Sequence, residues 1–341
     1  MAELEPNPLK RALEQAIRFD DREAVEALVD QHPELMQNPI HHRRWSLPLV
    51  HAADLGKVAI VKALLRRDPS AVEQAFGRAC LQGHSELAHV LLSTHPELGE
   101  NLHYALFGPC EALKAGAIPL LIELGADPNA VWEDGSTPLD MAICTYSHQG
   151  RPACIEALVQ GGAIYEDGPE MDIHRNRLDL LGARLDADPE LINRPSQFRA
   201  GKEYGGLYGG APLIRPTLLH ICAEFGALTA ARMLIERGAD PNARCLPDQS
   251  GIGNQTPIFH AATSNRNHAF PVLKILIENG ADLNAPASLR VPSAGLQSVS
   301  PDDPVLKNTT PLGYALKYPN SLHHKPHQDA IDFLRQHGAR E

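Results

Sequence analysis

Three apolar runs of the same kind stand out along the chain: "IPLLIEL" (118–124), "ARMLIER" (231–237) and "LKILIEN" (273–279). Each predicts an amphipathic helix with one buried stripe. Each is followed at once by almost the same hexapeptide, "GADPNA" at 125–130 and 238–243 and "GADLNA" at 280–285. Gly125, Gly238 and Gly280 are placed to end those helices in the left-handed conformation that glycine adopts cheaply. The Asp and Asn that follow suit a tight turn. A second phrase comes a few residues later: "STPLDMA" (136–142), "PTLLHICA" (216–223), "QTPIFHAA" (255–262) and "TTPLGYAL" (309–316). It predicts a short Ala-rich helix. Thr137, Thr256 and Thr310 cap it, and Pro138, Pro257 and Pro311 occupy its first position, where no N–H is needed. One unit therefore reads helix, turn, helix, finger.

The unit resembles the ankyrin repeat, with its usual length of about 33 residues and its T-P-L-H-x-A signature. Weaker copies carry the resemblance over nearly the whole chain: "LPLVHAADLGKVAIVKALL" (47–65), "FGRACLQGHSELAHVLL" (76–92), "NLHYALFG" (101–108), "EMDIHRNRLDLLGARL" (170–185) and "LKRALEQAIRFDDREAVEALV" (9–29). The implied fold is an all-α solenoid of about nine helix pairs, a single array over 1–341. Its units begin near residues 11, 47, 74, 100, 137, 167, 217, 256 and 310. "HPEL" at 32–35 and 95–98 and "DPEL" at 188–191 read as another helix exit, with Pro as the stop. Two early intervals are too short for a full finger. Surplus residues lie in 195–216, 245–255 and 286–308, at the finger position, and in 144–152, 264–271 and 317–328, between the two helices of a unit. The decorated half is the C-terminal one, and solenoid insertions often mark the binding face.

The family pattern also assigns roles. His103 and His220 sit at the signature histidine, which in the family bonds neighbouring backbone, whereas His51 and His260 fall one place later. First-helix positions just before the turn face the family's concave groove. Here they include Phe107, Thr145, Glu224, Phe225, Lys317 and Tyr318, while Trp132 sits on a finger. Aromatic residues at such positions, expected to be exposed, suggest a contact surface.

Composition narrows the function. A net charge of −11 argues against nucleic acid as the main partner. No run of about 18 apolar residues is present to span a membrane. The N-terminal "MAELEPNPLKRALEQAIRFDD" has no apolar core of a secretory signal. Six scattered cysteines without a C-x-x-C pair read as free thiols in a reducing, cytoplasmic setting. Cys80 and Cys222 occupy small-residue positions and read as buried substitutes for Ala. The strings G-x-x-x-x-G-K-[ST], G-x-S-x-G and H-E-x-x-H are all missing. His323, His324 and His327 crowd one loop with Pro326 among them, and that density alone does not make a metal site. A basic-aromatic knot, His41, His42, Arg43, Arg44 and Trp45, lies between the first two units and reads as a capping turn. No cofactor and no metal is expected.

The 195–216 insertion places Phe198, Tyr204 and Tyr208 among Arg199, Lys202 and Arg215, with glycines between them. Tyr and Arg are the residues that binding hot spots favour, and glycine lets a loop adapt. These features point to a non-enzymatic scaffold that binds a protein or peptide through the groove and the C-terminal-half fingers. Trp132, Phe198, Arg199, Tyr204, Tyr208, Arg215, Glu224, Phe225 and Tyr318 are its candidate contacts. The alternative is an enzyme or small-ligand binder whose site is roofed by the 195–215 segment. A deep pocket with converging polar groups would favour that alternative.

Overall fold

The computed structural model describes residues 7–40, 47–133, 135–145, 149–196, 213, 215–291, 302–318 and 328–341. Helices make up nearly all of its regular structure. In chain order they are α1 (Pro8–Arg18), α2 (Arg22–Gln31), α3 (Pro48–Asp54), α4 (Val58–Leu65), α5 (Val72–Gln82), α6 (Ser85–Thr94), α7 (Leu102–Ala105), α8 (Phe107–Glu111) and α9 (Ala117–Glu123). They continue as α10 (Pro138–Cys144), α11 (Arg151–Gln160), α12 (Pro169–His174), α13 (Leu178–Ala187), α14 (Leu218–Phe225), α15 (Leu228–Glu236), α16 (Pro257–Ala262), α17 (Phe270–Glu278), α18 (Pro311–Lys317) and α19 (Gln328–Gln336). The chain divides into two compact bodies, Met1–Pro109 with Lys114–Ala130 and Cys110–Leu113 with Val131–Glu341.

In the N-terminal body the first helices pack side by side through small residues. Ala52 and Ala53 of α3 and Ala75 and Ala79 of α5 are wholly buried. Without long side chains at these positions, neighbouring backbones can approach closely. In the C-terminal body the core runs from Leu181 and Leu219 through Phe259 and Leu273 to Tyr314 and Leu334. Cys80 and Cys222 lie in these cores as free, buried thiols, and so do the other four cysteines. Burial pushes the Cys80 thiol up to about 12.

Within a pair, the chain often turns through one left-handed residue. Gly56, Gly83 and Gly226 take this role, and Asp20 and Asn176 fill the same place with short polar side chains that tolerate it. At the far end of the second helix Gly125, Gly238 and Gly280 have φ of 107°, 92° and 85°. The next Asp then accepts the N–H of the Asn two residues on, at 2.8 Å for Asp127, Asp240 and Asp282 alike. The "PEL" exits work differently: α2, α6 and α13 stop just before them, and Pro33, Pro96 and Pro189 each open a 3₁₀ turn.

Two of the three expected threonine caps form. Thr137 Oγ1 accepts Asp140 N–H at 3.2 Å while Asp140 accepts Thr137 N–H at 3.0 Å, and Thr310 Oγ1 accepts Gly313 N–H at 3.0 Å. Thr256 does not cap α16: its hydroxyl is buried without a hydrogen-bond partner. The reason is local. In α14, His220 Nδ1 lies 2.8 Å from Thr217 Oγ1 and accepts Thr217 N–H at 3.2 Å, while Nε2 reaches Gln255 O at 3.0 Å. At the matching place in α16 stands Phe259, whose N–H donates to Thr256 O at 3.1 Å and not to the hydroxyl, and whose ring has no polar atom for Thr256 and packs against Tyr314.

Among the described residues the fingers supply the little sheet there is. In 245–255, Cys245 N–H meets Gln255 O at 2.9 Å, and Asp248 N–H meets Ile252 O at 2.7 Å. Strand β1 (Ala287–Arg290) pairs antiparallel with β2 (Val305–Thr309). Gly253 bridges to Ser288 on β1, so successive fingers are joined through backbone. The Tyr314 hydroxyl donates to Arg290 O at 3.0 Å and pins the strand to α18.

Candidate functional site

The six-residue helix α12 lies in the C-terminal body, and most of its residues are buried. Its first turn carries Glu170, which accepts the Ser196 hydroxyl, and Ser196 N–H donates to Pro216 O at 2.6 Å. The base of the 195–216 insertion is thereby closed, with Leu213 buried at one side of it. The last turn of α12 carries His174, roughly 6 Å further along the axis. His174 is fully buried and meets the Phe225 ring edge-on, with centroids 4.6 Å apart. The Arg151 guanidinium lies over the same ring, 5.1 Å from its centroid.

Arg151 is a buried cation. Its Nη1 donates to Phe225 O at 3.3 Å and its Nη2 to Thr145 O at 3.4 Å. Desolvation is expensive for a charge, and two carbonyls plus an aromatic face offset only part of that cost. Burial accordingly lowers the Arg151 pKa to about 10, against an opposing pull from acidic neighbours that include Glu224. Arg151 remains charged at neutral pH. Burial, reinforced by the Arg151 charge, lowers His174 to about 3, so His174 is neutral.

Glu224 stands one residue before Phe225, at the end of α14. Its Oε2 lies 2.8 Å from His260 Nδ1, and its main-chain oxygen accepts from His268 Nε2 at 2.8 Å. The N-terminal body repeats the second contact: His84 Nε2 lies 2.9 Å from Asp54 O, two residues before Gly56. In both places the imidazole packs on the left-handed glycine. A Cβ would stand 2.8 Å from His268 at Gly226 and 2.7 Å from His84 at Gly56. On α18, Tyr314 and Tyr318 meet edge-on at 5.5 Å. Both phenols are pushed up, first by burial and further by the Glu224 carboxylate.

The expected contact residues divide into three groups. Glu224 and Phe225 are half-buried, Phe107 is 38% exposed, and Lys317 and Arg215 are exposed, Arg215 with φ 47°. Trp132, Thr145 and Tyr318 are buried, contrary to the exposure expected for them. Trp132 is turned inward by the finger, whose backbone closes with Trp132 N–H on Ser136 O at 2.9 Å and Gly135 N–H on Trp132 O at 2.8 Å. Thr145 ends α10 and donates to Glu111 O at 2.6 Å, and Tyr318 stacks into the Tyr314 core. Phe198, Arg199, Lys202, Tyr204 and Tyr208 lie outside the described residues, as do Trp45 and His323, His324 and His327. The structure also brings in residues that sequence reasoning missed: Arg151, His174 and His268. Arg151 and His268 come from interhelix insertions, where the repeat gives no register, and His174 from one of the most worn copies.

A hollow of about 320 Å³ opens beside β2, lined by residues that include Leu306, Lys307, Gly313, Leu316, Lys317 and Glu341. It is mostly apolar in lining and lies apart from the Glu224 cluster. Among the described residues no group of three or more His, Cys, Asp or Glu side chains could hold a metal ion. No described helix is long and apolar enough to cross a membrane. No curated protein matches the chain. The family model for ankyrin repeats matches residues 219–340, in three copies, so this stretch, which includes Glu224 and Phe225, is built of ankyrin repeats.

Proposed function

We propose that the chain is a non-catalytic scaffold that binds a protein or peptide along the inner first-helix ends of its C-terminal body, with the 195–216 insertion as one wall. Ankyrin repeats are generally protein-interaction modules and typically lack catalytic activity. The observation that carries the reading is the Glu224–Phe225 step. Its backbone carbonyls are held by His268 and Arg151, its side chains are half-open, and the stem of the insertion is closed one short helix away. A platform fixed before binding loses little entropy when a partner docks. Phe198, Arg199, Tyr204, Tyr208 and Arg215 then supply the aromatic and basic part of the contact. Six buried free thiols support a reducing, cytoplasmic setting.

The test is selection of a displayed random-peptide library on the full chain, followed by affinity measurement of the recovered peptides. Changing Tyr204 and Tyr208 together to Ala should weaken them by about 2–4 kcal/mol, and Phe225→Ala should also weaken them. Trp45→Ala should leave binding alone. Intact affinity in the double variant with loss in Trp45→Ala would move the site to the N-terminal body. A turnover activity abolished by changing one carboxylate or histidine, with no peptide recovered, would replace the scaffold reading with an enzymatic one.

A further inference from the structure

We infer that Glu224 is the anchor for a cationic side chain, a lysine or arginine of the bound segment, whose aliphatic stem lies along the edge of Phe225. The inference rests on the binding reading above and adds to it the chemistry of the partner. Glu224 is a half-buried carboxylate with 18% of its side chain exposed. One oxygen, Oε2, is engaged by His260. The other has no hydrogen-bond partner among the described residues, and it is not among the buried polar atoms left unsatisfied, so it reaches solvent.

Elsewhere on this chain, three carboxylates of similar exposure are paired with cations. Asp54 holds Arg78, Glu156 takes two bonds from Arg175, and Glu26 faces Arg22, Arg66 and Arg67. Among the described residues Glu224 has no lysine or arginine within ion-pair distance, and its one titratable partner is the His260 imidazole at 2.8 Å. Arg151 feels its charge, while its Nη1 and Nη2 donate to the carbonyls of Phe225 and Thr145. The imidazole that does touch Glu224 belongs to His260, which is wholly buried and locks the carboxylate rotamer from behind. The result is a fixed anionic acceptor, partly desolvated and open on one side. A charge-assisted bond from a lysine or arginine satisfies it best, since a neutral donor forms a bond of about half that strength.

Two neighbouring features complete the fit. Phe225 beside it is half-buried and offers apolar surface, which suits the methylene stem that precedes either cationic head. The net charge of −11 also steers basic segments toward the protein. His260 stands where the family pattern does not put a histidine. Its displacement by one residue aims the ring at Glu224 in place of Thr256.

The experiment is a double-mutant cycle on peptides selected against the full chain. Glu224→Gln keeps an acceptor for His260 and removes the charge, and its melting temperature checks that the fold persists. Peptides selected on the wild-type chain should carry Lys or Arg at one fixed position. Replacing that residue by Ala should weaken binding about tenfold, as should Glu224→Gln, and the two changes together should cost no more than either alone. Selected peptides that need no basic residue, or losses that multiply independently in the double change, would overturn the anchor while leaving the groove reading standing. Recovery only of peptides indifferent to Phe225→Ala and to the Tyr204 and Tyr208 changes would remove both.

Discussion

The side-chain amide of Asn242 clasps the next turn by two bonds: its Nδ2 donates to Gly280 O at 2.9 Å and its Oδ1 accepts Asp282 N–H at 2.7 Å. The clasp recurs on both sides. Asn193 Oδ1 accepts Asp240 N–H at 2.9 Å, and Asn284 Oδ1 accepts Arg340 N–H at 2.7 Å. Each turn therefore stabilises the one after it. That is a physical reason for the phrase "GADPNA" to return: Gly makes the turn, Asp fixes the Asn backbone, and Asn reaches forward.

Asn242→Ala removes both bonds and leaves a donor and an acceptor to water. Because the site is exposed, water replaces part of the loss, and the expected cost is about 1–2 kcal/mol. Chemical denaturation of the full chain measures it. A cost of zero would mean that the clasp contributes nothing to coupling between turns.

Two left-handed glycines separate backbone strain from crowding. At Gly238 (φ 92°) an added Cβ meets nothing within 4 Å, so Gly238→Ala should cost only the conformational strain, about 1 kcal/mol. At Gly226 (φ 66°) the same Cβ would stand 2.8 Å from the His268 ring and 3.1 Å from its carbonyl oxygen. Gly226→Ala should therefore cost about 1–3 kcal/mol more than Gly238→Ala. It should also weaken peptide binding, because the displaced ring is the one that holds Glu224 O. Equal melting temperatures for the two variants would refute the crowding argument.

Much of this was legible in the sequence. The "GAD" glycines, the Thr137 and Thr310 caps and the His220 bridge follow from short motifs whose bonds are local or reach only the adjacent unit. Exposure was less legible, because it depends on where a finger folds. Trp132 and Tyr318 occupy positions that the repeat pattern leaves open, yet a hairpin turn buries one and the Tyr314 ring covers the other. Asn193 sits in "LINRP", without the "GAD" phrase, and makes the same forward contact; no motif marked it. Arg151 reaches Phe225 across 74 positions of sequence, past the short helix α12.

Acid should destabilise the C-terminal body through two histidines. Burial lowers both His174 and His220 to about 3, with the Arg151 charge adding to it for His174 and the neighbouring His260 for His220. In the unfolded chain each titrates near its ordinary value of about 6.5. Their contribution is thus complete above about pH 6.5 and is lost as pH falls toward 3. Well below pH 6.5 the loss approaches about 1.4 kcal/mol per pH unit for each histidine. Asp172 works the other way: burial raises its carboxyl despite Arg184, so the folded state takes up that proton first. Denaturation midpoints at pH 7 and 5 give the slope, and His174→Phe should reduce proton uptake on unfolding by about one. An unchanged slope in that variant would show that His174 is protonated in the folded protein.

The threonines that begin α14 and α16 should respond oppositely to the same isosteric change. Thr217 Oγ1 lies 2.8 Å from His220 Nδ1 inside a buried network that continues to Gln255 O. Thr217→Val leaves that nitrogen with one partner fewer in a low-dielectric site, at a cost of about 1–3 kcal/mol. Thr256 Oγ1 is equally buried but unbonded, because Phe259 stands where the signature histidine would be. Thr256→Val keeps the shape and removes an unsatisfied hydroxyl, so it should be neutral or stabilising by about 1 kcal/mol. Phe259→His would not rescue the hydroxyl without loss, since the ring contact with Tyr314 would be given up. Denaturation of the two valine variants side by side decides the matter. If both lose stability equally, Thr256 has a partner in solution, and the displacement of histidine from 259 to 260 is not what leaves that hydroxyl unsatisfied.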